Sequence, residues 1–395
     1  TSMPDEDPLL NKTLAVLDDL IAFPTVALTP NLDLIEYVED QLGPLSSNLV
    51  LTHDETRSRA NLFATIGPNV DGGIVLSGHS DVVPVDAADW ATPPFEATRR
   101  GDRIYGRGTA DMKGFIACVL ALAPGYAVLD LERPIHVALT FDEEDGFHGA
   151  PILLKELVQS GRRPAACIIG EPTGLRVIGA HKGCYEYRTE ITGLNGHSCE
   201  PGRAVSAVHY ATLWITGLLG LRNELVERAP DDSPYEPPHT TFNVGTIQGG
   251  QGRCVVADRC SFDWEMRPIQ QADAVFVKDR MAALGDELLT EMRTIHPDVA
   301  IRTEVVCEVD GLEWQESSPA LDLMRDLVGE TPIDVVAYGT EAGLFQTAGV
   351  PAVVWGPGDI GVAHRPDEFV DIADLTACLE VLQRLPDRQA GSTQR

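Results

Sequence analysis

The stretch IHVALTFDEEDGFHGAPILLKELVQS, residues 135–160, contains the change of pattern that decides the fold. IHVALTF is mostly apolar and predicts a buried strand, whereas APILLKELVQS has the apolar spacing of a helix. Between them, four acidic residues occupy positions 142–145. A buried strand that passes through a polar turn into a helix is typical of α/β proteins, in which functional side chains gather at strand ends.

The same alternation recurs on both sides of this stretch. GGIVLSGHSD (72–81) and AACIIG (165–170) predict two further strands, and MKGFIACVLALA (112–123) predicts a helix. Near the end of the chain, IDVVAY and PAVVW predict strands, and residues 372–385 predict a closing helix. We therefore expect an α/β domain with a mixed sheet covered by helices.

The middle of the chain has a different pattern. YEYRTEITG (185–193) alternates as a half-exposed strand does, and a helix, two strands and a helix at 271–295 follow it. This order predicts an inserted α+β unit of the ferredoxin-like type over residues 183–295. Residues 1–182 and 296–395 would then form the catalytic domain.

Composition excludes several classes of partner. The chain has 395 residues and a net charge of −30, with 60 acidic against 30 basic residues, which argues against nucleic acid and against an anionic membrane surface. The opening TSMPDEDPLLNK lacks the basic and apolar regions of a signal peptide. Eight scattered cysteines without a CxxC pair favour reduced thiols, so we expect a cytoplasmic protein.

Five places put a potential metal ligand after an apolar strand or in a tight loop. Any one such residue is more often a cap or a solvated group than a ligand. Together they supply imidazole and carboxylate groups, which suit zinc, manganese or cobalt better than calcium. The candidates are His79 with Asp81, Asp111, Glu143 with Glu144, Glu171 and His364.

The motifs GHSDVVPVD, YGRGTADMKG, DEE, GEPT and AHRPDEFV, in this order, resemble those of the M20 metallopeptidase and deacylase family. The resemblance extends from about residue 10 to 385. It implies a hydrolase of linear amides with two divalent metal ions, zinc first, with cobalt or manganese as alternatives. It also implies that the inserted domain is a lid that joins two subunits in a homodimer.

The resemblance assigns metal ligands residue by residue. Asp111 would bridge the two ions. His79 and Glu171 would complete one site, and Glu144 and His364 would complete the other. The Asp111–Met112 peptide bond would be cis.

It also assigns the groups that assist the reaction. Glu143 would be the general base, and Asp81 would orient the ring of His79. His197, in NGHSCEP, would stabilise the oxyanion, in its own active site or in that of the partner. A polar loop histidine is the alternative for His197.

Within the family, AHKG, GHS, FNVGTIQGG and YGTEAGLFQTAGVP most resemble deacetylases that release acetate from N2-acetyl-L-ornithine in arginine biosynthesis. Arg267 and Asn243 would hold the substrate carboxylate, and Glu341 would favour a cationic side chain. The alternatives are a surface arginine at position 267 and, at position 341, a glutamate in the first turn of a helix that the helix dipole stabilises. A succinyl-diaminopimelate desuccinylase, an N-acyl-amino-acid deacylase or a dipeptidase is the rival activity. No role is predicted for Asp142, Asp145 and Lys182.

Overall fold

A computed structural model of the chain describes residues 7–389. Contacts divide the chain into two compact units. Within the described range, the first unit contains residues 7–180, 314–334 and 340–389. The second unit contains residues 181–313 and 335–339.

The described range contains eleven α-helices and seventeen strands. The helices are α1 (Pro8–Ala22), α2 (Leu32–Leu42), α3 (Lys113–Ala127), α4 (Gly149–Gln159), α5 (Ala207–Gly220), α6 (Arg222–Arg228), α7 (Gln271–Ile295), α8 (Pro319–Val328), α9 (Ala342–Thr347), α10 (Ile372–Leu382) and α11 (Leu385–Gln389). The strands are β1 (Asn48–His53), β2 (Ala60–Ile66), β3 (Ile74–His79), β4 (Thr98–Arg100), β5 (Arg103–Tyr105), β6 (Ile135–Thr140), β7 (Ala166–Ile169), β8 (Val177–His181), β9 (Cys184–Thr192), β10 (Gly196–His197), β11 (Thr241–Gly249), β12 (Val255–Val256), β13 (Arg259–Arg267), β14 (Ala300–Val309), β15 (Ile333–Val336), β16 (Ala352–Val354) and β17 (Phe369–Asp371).

An eight-stranded mixed sheet has the order β1-β2-β6-β3-β7-β16-β8-β15. Its centre is parallel, because β3 runs parallel to both β6 and β7, and β7 runs parallel to β16. Strands β1 and β2 add an antiparallel edge. The predicted mixed sheet is thereby confirmed.

Burial explains why the central strands are nearly continuous apolar runs. Every residue of β3, β6 and β7 is buried, as expected for parallel strands covered on both faces. Helix α3 is apolar around most of its circumference and is buried over most of its length. It contacts α1, α10 and β3, so it lies inside the core of the first unit.

The second unit contains a four-stranded antiparallel sheet of order β11-β13-β9-β14. The chain order β9-α5-β11-β13-α7-β14 with this strand order is ferredoxin-like, which confirms the predicted α+β type. Helices α5 and α7 contact each other, and the residues of β9 and β13 alternate between buried and exposed positions. Strand β14 belongs to this sheet because it pairs with β9. The sheet therefore extends beyond residue 295, where the sequence predicted the end of the inserted unit.

Two smaller sheets complete the fold. Strands β17, β5 and β4 form an antiparallel sheet, and β10 pairs with β12. Within residues 7–389, no helix combines the length and the apolar character that crossing a membrane requires.

Candidate metal centre

The ends of three buried strands carry the first part of the site. His79 is the last residue of β3, Glu143 and Glu144 follow β6, and Glu171 follows β7. Since β3 is parallel to β6 and to β7, these residues meet at one edge of the sheet. Between β7 and Glu171, a Cβ atom on Gly170 would lie 2.0 Å from the Phe115 ring, so this turn requires glycine.

Asp111 lies between two histidines. Its Oδ1 is 3.0 Å from Nε2 of His79, and its Oδ2 is 3.2 Å from Nε2 of His364. Asp111 follows β5 and precedes α3, and the Asp111–Met112 peptide bond is cis. The two carboxylate oxygens therefore point to different imidazoles, as a carboxylate shared between two cations would.

The remaining candidates lie around these two histidines. Glu171 Oε1 is 3.8 Å from His79 Nε2, and Glu144 Oε2 is 2.9 Å from His364 Nε2. Possible ligand atoms of Glu143 and Glu171 also lie within 4.8 Å of one another and of His79. This geometry does not separate a base from a ligand at Glu143, so its assignment as base stays a prediction. We call the six residues the acidic cluster: His79, Asp111, Glu143, Glu144, Glu171 and His364.

Burial and mutual repulsion raise the pKa values of most carboxylates in the acidic cluster. Burial raises the pKa of Glu144 to about 7, and the charge of Asp111 adds to this. Burial also raises the pKa of Glu143 and of Glu171 well above their usual range. Asp111 is the exception, because its contacts with the two histidines outweigh burial and lower its pKa.

The same contacts favour protonated histidines. Hydrogen bonds to Asp111 and Glu144 raise the pKa of His364 to about 10. Burial opposes the charged form of His79, but the carboxylates around it, Asp111 first, raise its pKa well above the usual value. The acidic cluster therefore attracts positive charge.

The donor set fits divalent cations. Four carboxylates and two imidazoles converge, and Glu171 Oε1 is a buried oxygen without a hydrogen-bond partner. Mixed nitrogen and oxygen ligands of this kind hold zinc, manganese or cobalt. A carboxylate shared between two cations offsets their repulsion, and Asp111 has the position for this role.

Asp81 binds more groups than the sequence indicated. Its Oδ1 is 3.6 Å from Nδ1 of His79, whereas the backbone oxygen of Asp81 is only 3.0 Å from that nitrogen. The Asp81 carboxylate also accepts hydrogen bonds from the backbone N–H groups of Glu143 and Glu144, at 3.1 Å each. Asp81 thus connects the turn after β6 with the end of β3.

Asp142 helps to shape the same turn. Its side chain is buried, its φ is +53°, and its Oδ1 accepts a hydrogen bond of 2.7 Å from the N–H of Leu28. Its Oδ2 pairs with Arg59. Sequence analysis left Asp142 without a role because its partners lie 114 and 83 residues away along the chain.

Three predicted site residues belong to the second unit. His197 lies in β10, is exposed, and has its Nδ1 3.2 Å from Sγ of Cys199. The guanidinium of Arg267 contacts Glu265 at 2.6 Å and Glu186 at 3.5 Å. Asn243 is exposed on β11, opposite Glu265 in β13. Their assignments to substrate and oxyanion stay predictions.

Glu341 lies just before α9 in the first unit, where it is 1% exposed. Burial raises its pKa to about 7, with a hydrogen bond from Thr140 and the charge of His79 acting against this rise. Its Oε1 has no hydrogen-bond partner. A carboxylate in this position contributes negative potential near the acidic cluster.

Lys182, to which the sequence assigned no role, is a structural residue. Its Nζ donates hydrogen bonds of 3.0 Å to the backbone oxygens of Pro237 and His239. It therefore holds the proline-rich segment at residues 228–240.

Comparisons with known proteins agree with this geometry. The model of peptidase family M20/M25/M40 matches residues 75–388. The chain is 35% identical to an acetylornithine deacetylase of Myxococcus xanthus over 97% of this chain and 98% of that protein. It is 33% identical to an acetylornithine deacetylase of Shigella sonnei over 92% of this chain and 94% of that protein.

Solved structures show the same fold at lower identity. An M20 family metallo-carboxypeptidase of Sulfolobus solfataricus matches with a TM-score of 0.73 and 19% identity, over 96% of this chain and 99% of that chain. An aminopeptidase of Bacillus cereus matches with a TM-score of 0.72 and 17% identity, over 97% and 99%. The family model and the relatives in sequence cover most of the chain, and the chain therefore belongs to peptidase family M20/M25/M40, whose members are metal-dependent hydrolases.

Proposed function

We propose that the protein is a dimetal amide hydrolase that removes the acetyl group from N2-acetyl-L-ornithine to give L-ornithine and acetate, in arginine biosynthesis. The observation that carries the proposal is the acidic cluster, in which Asp111 faces both His79 and His364. His79 and Glu171 would hold one ion, and Glu144 and His364 the other. Zinc is the first candidate, with cobalt and manganese as alternatives.

Two bound divalent cations would polarise the acyl carbonyl and lower the pKa of a water molecule. Glu143 would take a proton from the attacking water as the new C–O bond forms. It would then deliver that proton to the amide nitrogen as the C–N bond breaks, so that the amine leaves neutral. The hydrogen bond from the Glu143 N–H to Asp81 holds this base at the edge of the sheet.

His197 would donate to the oxygen that becomes negative at the acyl carbon. A well-placed donor of this kind contributes about 2.7–4 kcal/mol. Its exposure in β10 leaves the imidazole accessible to a ligand, in this subunit or in a partner. Arg267 and Asn243 would bind the substrate carboxylate.

Two observations support a substrate with a basic side chain: the position of Glu341 and the similarity of the chain to two acetylornithine deacetylases. The buried Glu341 carboxylate has one unpartnered oxygen, and its negative potential would favour the δ-ammonium of ornithine. A second carboxylate on the substrate, as in succinyl-diaminopimelate, would be repelled.

A panel of N-acylated amino acids tests the substrate. With zinc or cobalt added, we expect kcat/KM for N2-acetyl-L-ornithine to exceed that for N-succinyl-L,L-diaminopimelate and for N-acetyl-L-methionine by at least about tenfold. Glu341→Gln should lower kcat/KM for acetylornithine more than for acetylmethionine. A wild-type preference for either competitor would replace our substrate with that one.

A second copy of the chain is the proposed partner, bound through the inserted domain. Strand β11 is an edge of the four-stranded sheet, none of its residues is charged, and Ile247 is 52% exposed. Uncharged edge strands are templates for pairing with another strand. Sedimentation of the purified chain measures this association. All eight cysteines are unpaired, which agrees with the proposed cytoplasmic location.

A further inference from the structure

Glu368 lies outside the acidic cluster, yet its buried carboxylate binds the loop that carries Asp111. The side chain is 1% exposed. Its Oε1 accepts hydrogen bonds from the N–H groups of Ala110 at 2.9 Å, Asp111 at 3.0 Å and Gly108 at 3.1 Å. Its Oε2 accepts from Nη1 of Arg107 at 2.6 Å and from the Gly108 N–H at 3.1 Å. One carboxylate therefore satisfies four donor groups from five consecutive residues.

The backbone of this loop is shaped to present its N–H groups to an anion. Gly108 has φ +88°, and a Cβ atom there would lie 2.8 Å from Cγ1 of Val82. The left-handed conformation and the close approach both require glycine. Successive N–H groups in such a turn form a concave anion site, and Glu368 fills it.

The same residue lies in the segment that carries the other ligand. Glu368 follows His364 by four positions, and its backbone oxygen accepts a hydrogen bond of 3.0 Å from the Gly106 N–H. Arg107 Nη1 also lies 3.4 Å from the backbone oxygen of Arg365. Glu368 and Arg107 thus join the Asp111 loop to the His364 segment, beside the direct contact between Asp111 and His364.

We propose that Glu368 is a positioning residue. It holds Asp111 and His364 at the relative position that they need to bind one metal ion together. This proposal rests on the proposed dimetal function. A carboxylate is needed because its two oxygens accept from all four donors, whereas a glutamine offers one acceptor and turns an NH2 group toward N–H groups. Replacing the acid also leaves the buried Arg107 without its partner.

The test is a calorimetric titration of the metal-free full chain with zinc, repeated with cobalt and followed by visible absorption. Wild type should bind two ions. In Glu368→Gln, the affinity for the ion at Glu144 and His364 should fall by about 10–100-fold, as for other groups that support metal ligands. Its cobalt spectrum should lose the contribution of that ion, and thermal unfolding of the metal-free variant shows whether it is folded.

A matched control is Asp273→Asn in the second unit. Asp273 is fully buried, accepts from Arg228 Nε at 3.0 Å and Thr240 Oγ1 at 2.6 Å, and is not a member of the acidic cluster. This variant should bind both ions as wild type does.

Glu368→Asp keeps the negative charge, but its shorter side chain places the carboxylate farther from the loop. This variant should therefore lose less affinity than Glu368→Gln for the ion at Glu144 and His364. If Glu368→Gln does not fold, the metal affinity of Glu368→Asp alone tests the proposal. Wild-type affinity for both ions in the folded variants would overturn the proposal. Fewer than two ions in wild type would instead overturn the dimetal function on which it rests.

Discussion

Two groups of acidic side chains in this molecule differ in their surroundings. One is the acidic cluster of the first unit. The other is a charged face on the four-stranded sheet, formed by residues that alternate along β9 and β13: Glu186, Arg188, Glu190, Asp263, Glu265 and Arg267. On this charged face, Arg188 pairs with Glu190 and Asp263, and Arg267 pairs with Glu186 and Glu265.

The charged face and the acidic cluster differ in the source of the positive charge that balances the carboxylates. On the charged face every acid has an arginine from the neighbouring positions of the sheet, and the pairs are at least partly open to solvent. In the acidic cluster, four carboxylates share two histidines, and burial raises the pKa of three of the four. A buried excess of carboxylates is stable only with protons or cations, so the acidic cluster has the charge expected of a cation site.

The largest effect should come from Asp111→Asn, which removes the shared carboxylate. We expect loss of tight binding of both ions and a fall in turnover of roughly 10³-fold, since cation stabilisation of the reaction is worth several kcal/mol. Metal content after dialysis and kcat measure this. Glu143→Gln is the matched control, because it should keep both ions while kcat falls by about 10²–10⁴-fold. Two ions retained in Asp111→Asn would contradict a bridging role.

An intermediate effect is the pH dependence of binding of the one ion that Glu144 and His364 would hold. In the metal-free protein the pKa of His364 is raised to about 10, so an ion must displace its proton at neutral pH. The pKa of Glu144 is raised to about 7, so a second proton is displaced below that pH. Affinity should therefore rise with pH, by up to about tenfold per unit for each displaced proton and more steeply below pH 7. Calorimetry in buffers of different ionisation enthalpy counts the protons; affinity independent of pH between 6 and 9 would be inconsistent with this charge state.

The smallest effect should come from Asp263→Asn on the charged face, the same chemical change as at Asp111. An exposed ion pair contributes about 0.2–1 kcal/mol, so the free energy of unfolding should change by no more than this. The difference should shrink with added salt. Urea unfolding at two salt concentrations measures it, and metal binding should be unaffected. A loss of several kcal/mol would mean that the two settings are less different than their exposure indicates.

Local pattern predicted several strands and helices of the fold, although it missed β2, in which every residue is buried. Strands β3, β6 and β7 and helix α7 were found where the sequence placed them, because long apolar runs and a regular helical period are strong signals. Strands β1 and β14 were missed, since their residues are half-buried or exposed and show no clean alternation.

In the candidate site, the sequence also predicted some residues and missed others. The residues of the acidic cluster were predicted because each follows a strand or lies within a recognisable motif. The supports were not: Asp142 binds Leu28 and Arg59, and Glu368 binds the Asp111 loop, over separations that no local pattern records. The burial of Glu341 was also not predicted, because a glutamate before a short helix is ordinarily a surface residue.

The hydrogen bond between Glu368 and the Asp111 N–H also bears on biosynthesis. The two residues are 257 positions apart, and His364 is nearly as far from Asp111. At about 5–20 residues per second, the ribosome needs roughly 13–50 s to make the intervening chain. Throughout that interval the nascent polypeptide has Asp111 without the segment that orders it. We therefore expect the proposed ion at Asp111 and His364 to bind only after the chain has been synthesised beyond Glu368.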